Sequence, residues 1–174
     1  MTMRSISAGI LGLSIVFSGP TGFAVGTEVP LAEAAAATTP PFELVTFGGA
    51  GYSNTSLKGK PALLVFWAPW CKVCQRELPS ISRFYEDGRP TTLEVVSIGF
   101  ADTRSNVEAF VKERAESFAF PAAYDEDRWV SQAFKINATP TYVVLDDQGR
   151  IALFHRGGGI FQNLQFREFL STLK

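Results

Sequence analysis

The sequence predicts an α/β domain with a central mixed β-sheet flanked by helices, and three observations carry that expectation. The apolar run Ala62 to Trp67, without polar alternation, is a central strand buried on both faces, and Leu93 to Phe100 is a second buried strand. A segment with helical periodicity lies between them, so the two strands are joined by a crossover and run parallel. Two further strand-like runs, Tyr142 to Leu145 and Arg150 to His155, are separated only by Asp146-Asp147-Gln148-Gly149, which makes a hairpin and an antiparallel pair.

The elements follow in order. Phe42 to Phe47 and Tyr52 to Thr55, joined through Gly48-Gly49-Ala50-Gly51, predict a short N-terminal β-hairpin at an edge, and Lys58-Gly59-Lys60-Pro61 a turn. Cys74, Leu78, Ile81 and Tyr85 recur at helical spacing, giving a helix from about Cys71 to Tyr85 with one inward face. Pro79 removes a backbone hydrogen bond inside that helix and should bend it. A second amphipathic helix is expected over Asn106 to Phe118, with Val107, Phe110, Val111 and Arg114 at helical spacing and Ser105 or Asn106 as its cap. Phe120 to Tyr124 reads as a short extra strand and Arg128 to Phe134 as a short helix carrying Trp129, Val130, Ala133 and Phe134, together a central insertion. After the hairpin comes a triple glycine, Gly157-Gly158-Gly159, and then a terminal helix from about Gln162 to Leu173.

The 174 residues, 46% apolar and 13% aromatic, suit one domain with its own core, expected over residues 41–174. A formal net charge of -1 with scattered charges gives no basic stripe for nucleic acid and no acidic tail. Residues 1–40 read as addressing rather than fold. Arg4 supplies a positive charge, Ile6 to Phe17 an apolar stretch and Gly19-Pro20 a break, which is the pattern of a signal peptide. Cleavage after Ala24 or among Ala32 to Ala37 is one reading; an uncleaved anchor over Ile6 to Val25 is the other. Either places the domain outside the cytoplasm. No cysteine lies near positions 20 to 40 to take a lipid. Ala34 to Pro41 reads as a linker.

The chemistry resides in Trp67-Ala68-Pro69-Trp70-Cys71-Lys72-Val73-Cys74, which holds both cysteines of the chain. A strand that ends in C-x-x-C and opens a helix sets the first thiol against unpaired backbone N–H groups and the positive end of the helix dipole, where a thiolate is stabilised. Cys71 is then the attacking sulfur. Cys74, one turn on, can resolve a mixed disulfide formed on Cys71. A purely structural role is the weaker reading, because a four-residue loop gains little chain entropy, and no second cysteine pair exists to complete a four-cysteine zinc site.

Together with Ala138-Thr139-Pro140-Thr141 and Pro79, this motif resembles the thioredoxin superfamily, and within it the extracytoplasmic thiol-disulfide oxidoreductases of the TlpA and ResA group, over roughly residues 42 to 174. The resemblance implies a thioredoxin-like fold in which Pro140 is a cis proline beside the dithiol. It also implies that backbone near Thr139 pairs with substrate, and that Pro140 packs on the sulfurs and blocks metal ligation. Trp70 is expected to shape the rim that receives a partner, and Trp67 to be core. Glu77, at the position of a functional glutamate in ResA-like proteins, could exchange a proton with Cys74; it could equally be a solvated helix residue. Two departures stand out. Val65 occupies the place of the buried aspartate of cytoplasmic thioredoxins, and Lys72-Val73 replaces the usual dipeptide; Lys72 either adds positive charge near Cys71, which should shift the couple somewhat toward oxidising, or is a solvated helix-start residue.

The expected activity is an exported thiol-disulfide oxidoreductase, a dithiol reductant in the periplasm or at the outer membrane face, needing no cofactor and no metal and acting as a monomer on protein thiols and disulfides. By resemblance, the substrate could be the oxidised C-x-x-C-H of apocytochrome c, with electrons from a membrane thiol carrier. A disulfide-introducing oxidase uses the same residues. A copper-handling protein is a third class, since two thiolates and His155 suit copper, but thioredoxin-fold copper proteins space their cysteines by three residues. His155, the only histidine, is expected to be structural or exposed.

Overall fold

The computed structural model describes residues 38–173. An antiparallel hairpin of β1 (Glu43–Val45) and β2 (Gly51–Ser53) precedes the main sheet. The sheet contains β3 (Ala62–Trp67), β4 (Glu94–Gly99), β5 (Ala122–Tyr124), β6 (Thr141–Leu145) and β7 (Ile151–Arg156), in the order β5-β4-β3-β6-β7. Pairings of β3 with β4 and of β4 with β5 are parallel, whereas β3 with β6 and β6 with β7 are antiparallel. The mixed sheet is therefore as the sequence predicts, and every residue of the central strand β3 is buried.

Among the described residues four α-helices cover this sheet: α1 (Lys72–Arg83), α2 (Arg104–Glu113), α3 (Trp129–Ala133) and α4 (Leu164–Thr172). Alternation along β3 divides the core in two. Leu63, Val65 and Trp67 pack with Cys74, Leu78 and Ile81 of α1, Val107 of α2 and Phe166 of α4. On the other face Ala62, Leu64 and Phe66 pack with Phe42 and Leu44 of the hairpin and Val130 and Phe134 of α3. Hydrophobic burial on both faces explains why β3 tolerates no polar residue.

Three local expectations are corrected. The second helix does not begin at Asn106 under a Ser105 or Asn106 cap. It starts at Arg104, because the Thr103 hydroxyl accepts the Asn106 N–H at 3.2 Å, and it stops at Glu113 rather than Phe118, giving way to a 3-10 turn over Ala115–Ser117. The terminal helix begins at Leu164 rather than Gln162, because Asn163 is its cap: the Asn163 Oδ1 accepts the Phe166 N–H at 3.0 Å. The end of the expected linker, Ala34 to Pro41, is already attached to the domain, since Thr38 bridges to Arg150 and Thr39 is buried. The signal-peptide and anchor readings over positions 1–37 lie outside the described residues.

Candidate active site at one end of the sheet

Strand register brings the site together. Phe66, the last residue of β3 to pair with β6, is opposite Thr141, and Trp67 is opposite Gly99 of β4. The loop leaving β3 and the loop entering β6 therefore emerge at one end of the sheet, with the β4 terminus beside them. The Phe100 N–H donates to the Trp67 carbonyl at 3.0 Å and closes this end.

Cys71 caps α1 in extended conformation, and its sulfur accepts the Cys74 N–H at 3.1 Å. Cys71 and Cys74 are disulfide-bonded, with Cα atoms 5.2 Å apart. When the bond opens, the same N–H and the helix dipole are in place to stabilise a Cys71 thiolate, and the first turn contains no acidic residue to oppose it. Cys71 is 5% exposed and Cys74 1%, which leaves Cys71 the more accessible of the two residues. Gln75 braces the approach loop by donating from Nε2 to the Pro69 carbonyl at 2.7 Å. Lys72 is exposed, its Nζ 3.5 Å from Gln75 Oε1.

Thr139-Pro140 is a cis peptide, and Pro140 is buried. The β3–β6 ladder begins at Thr141, so Thr139 lies beyond it. The Thr141 hydroxyl donates to the Ala138 carbonyl at 2.8 Å, and the Gly157 N–H to the Pro140 carbonyl at 2.8 Å, which ties the proline loop to the triple glycine. Trp70 is 58% exposed and is anchored by its indole N–H on the Ala101 carbonyl at 3.1 Å, just beyond the end of β4. Trp67 is fully buried between Phe110 and Phe118.

Glu77 is not a solvated helix residue. Its Oε2 accepts the Gly159 N–H at 2.9 Å and the Tyr142 hydroxyl at 3.4 Å. Burial, and next the Glu77 carboxylate, push the Tyr142 phenol far above its ordinary value, so it remains a donor. Tyr142 and Gly159 were missed by sequence reasoning: Tyr142 reads as one more apolar strand residue, and the triple glycine carries no role until the fold places it over α1. His155 has both ring nitrogens engaged, Nε2 with the Gly158 carbonyl at 3.1 Å and Nδ1 with the Asn163 amide nitrogen at 3.2 Å. Among the described residues no group of three or more His, Cys, Asp or Glu could hold a metal ion, and no helix is long and apolar enough to cross a membrane.

Comparison with known proteins gives a consistent set of matches. The model of the AhpC/TSA family matches residues 35–154. The thiol-disulfide oxidoreductase ResA of Geobacillus thermodenitrificans is 30% identical over 153 residues, covering 87% of this chain and 84% of ResA. Among solved structures, StoA from Bacillus subtilis is 26% identical with a TM-score of 0.63, covering 74% of this chain and 96% of StoA. A secreted Mycobacterium tuberculosis disulfide oxidoreductase, described as homologous to E. coli DsbE, is 25% identical with a TM-score of 0.59, covering 76% and 93%.

Proposed function

Given that the chain belongs to the AhpC/TSA family of thioredoxin-like proteins and is a thiol-disulfide oxidoreductase, we propose that it works outside the cytoplasm as a dithiol reductant of exported proteins. The oxidised C-x-x-C-H of apocytochrome c is the proposed substrate and a membrane thiol carrier the proposed electron source. One observation carries the redox chemistry: Cys71 caps α1 and receives the Cys74 N–H, while Cys74 sits buried behind it. Export is supported by the composition of residues 1–25 and by the secreted relative.

In the proposed cycle the Cys71 thiolate attacks a substrate disulfide, one substrate sulfur leaves as a thiol, and a mixed disulfide remains on Cys71. Cys74 loses its proton to Glu77 and attacks the Cys71 sulfur. The second substrate thiol is released and the Cys71–Cys74 bond forms. The open backbone at Thr139 aligns the substrate segment, Pro140 packs against the sulfurs, and Trp70 walls the opposite rim. The carrier then reduces the pair, and Glu77 returns the proton to Cys74.

Lys72 favours a second direction, since positive charge beside a Cys71 thiolate stabilises the reduced form and raises the potential, as an oxidase requires. Equilibration of the pair with glutathione separates the two. A reductant is expected to have a potential below about -230 mV, whereas a value above about -180 mV makes the protein an oxidase.

A further inference from the structure

Two features have no part in the cycle above: the triple glycine and the lone histidine. Both converge on Glu77. Gly157 and Gly159 adopt left-handed conformations, φ +89° and +83°, that only glycine takes without strain. Gly158 has no such φ, but a Cβ there would stand 3.0 Å from Val73 Cγ1 and 3.3 Å from both Cδ and Oε1 of Glu77. The loop thus lies against α1 as closely as a backbone without side chains permits.

One peptide unit transmits the contact. The Gly158 carbonyl faces His155 Nε2 at 3.1 Å, and the N–H of the same peptide, on Gly159, donates to Glu77 Oε2 at 2.9 Å. The histidine tautomer follows from its other nitrogen. Asn163 has its Oδ1 committed to the Phe166 N–H, so its amide N–H group is what faces His155 Nδ1. Nδ1 accepts, Nε2 carries the proton, and His155 donates to the Gly158 carbonyl. Donation into a peptide carbonyl polarises its N–H and strengthens the bond that N–H makes to a carboxylate. From the sheet, the Tyr142 hydroxyl donates to the same carboxylate oxygen at 3.4 Å, its ring packed on His155 with centroids 5.9 Å apart.

We propose that Tyr142 and His155 are positioning residues for the Glu77 carboxylate, Tyr142 by direct donation and His155 through the Gly158–Gly159 peptide, a role that rests on the proton exchange assigned to Glu77 above. Together they aim one carboxylate oxygen and hold it against the glycine loop and β6. The charged and titratable groups around Glu77 are Tyr142 from β6, His155 from β7 by way of the loop, and Cys71 and Cys74 on its own helix. Lys72 and Arg76 on α1 are exposed, and no salt bridge joins either to Glu77 among the described residues.

The test follows the decay of a mixed disulfide between Cys71 and 2-mercaptoethanol in the full chain, by acid quench and mass, from pH 5 to pH 8. Glu77 accepts the Cys74 proton in this step, through the oxygen that the Tyr142 hydroxyl and the Gly159 N–H hold. In Tyr142→Phe the pH profile is expected to change and resolution at the acid end to slow by about three- to tenfold. His155→Phe slows it likewise, and His155→Gln, which retains an amide donor, recovers part of the rate. In a Glu77→Gln background Tyr142→Phe adds nothing. A Tyr142→Phe profile superimposed on the parent while Glu77→Gln is altered overturns the positioning role and leaves Glu77 standing. An equal slowing by Tyr142→Phe in both backgrounds also overturns it. An unaltered Glu77→Gln profile removes the Glu77 role, and the positioning with it. Should Tyr142→Phe not fold, the His155→Phe and His155→Gln pair decides alone: identical profiles for the two overturn the proposal.

Discussion

Gly99 ends β4 directly beside the dithiol loop, and replacing it with alanine is the most direct probe of how tightly this end of the sheet is packed. A Cβ built there overlaps Val107 Cγ1 outright and stands 3.3 Å from Val107 Cγ2 and 3.4 Å from Trp67 Cζ2. Val107 and Trp67 are both fully buried. The valine is β-branched on a helix and has one strongly preferred rotamer, while Trp67 is held by Phe110 and Phe118. Neither neighbour can yield cheaply, so Gly99→Ala should cost near the top of the overpacking range, about 2–3 kcal/mol. At roughly 3–5 °C per kcal/mol for a domain of this size, the melting temperature should fall by about 10 °C. Val107→Ala alone should cost about 2 kcal/mol, through lost methyl burial and the cavity left behind. In the Gly99→Ala background it should cost nothing or stabilise, because it removes the atoms in collision. Thermal and denaturant unfolding of the four proteins of this cycle measures the coupling. A Gly99→Ala protein within about 0.5 kcal/mol of the parent, or a Val107→Ala cost equal in both backgrounds, would refute the packing argument.

Two further substitutions probe the rim and the β6–β7 turn. Trp70→Ala removes a mostly exposed side chain whose one hydrogen bond is to Ala101; KM for a protein disulfide should rise severalfold while the melting temperature stays within about 2 °C of the parent. Asp146 is pushed up by burial, but the Arg150 N–H, the Arg150 guanidinium and the Gln148 N–H outweigh that and hold its carboxyl below the ordinary carboxylate value. A depressed folded-state pKa contributes stability above the unfolded value, near pH 4, that is lost as pH falls through the folded value. Asp146→Asn should therefore lower the melting temperature at pH 7 and converge on the parent in strong acid; a constant difference across that range would show that the carboxylate charge is not what stabilises the turn.

The sheet was legible because its central strand, Ala62–Trp67, has no polar residue to obscure the pattern, and the C-x-x-C between strand and helix marked the reaction centre without any tertiary information. Helix ends were less legible. Thr103, Ser105 and Asn106 are all competent caps, and only the hydroxyl geometry at Thr103 selects one. Exposure likewise escaped the sequence pattern: Trp129, read with an apolar set, is 63% exposed while Val130 beside it is buried. The surroundings of Glu77 were hidden for a deeper reason. Tyr142, His155 and Gly159 come from 65, 78 and 82 positions along the chain, and local periodicity contains no information about which strand face or loop will cover a given helix position.

Trapping on a single cysteine addresses the reaction itself. With Cys74→Ser, the Cys71 thiolate attacks a protein disulfide and has no resolving thiol behind it, so a mixed disulfide through Cys71 should accumulate and dissolve on adding dithiothreitol. Cys71→Ser should accumulate none, because the Cys74 sulfur is buried at 1% exposure. If neither variant trapped a partner, or if Cys71→Ser trapped as well as Cys74→Ser, Cys71 would not be the attacking sulfur of a thiol-disulfide exchange centre.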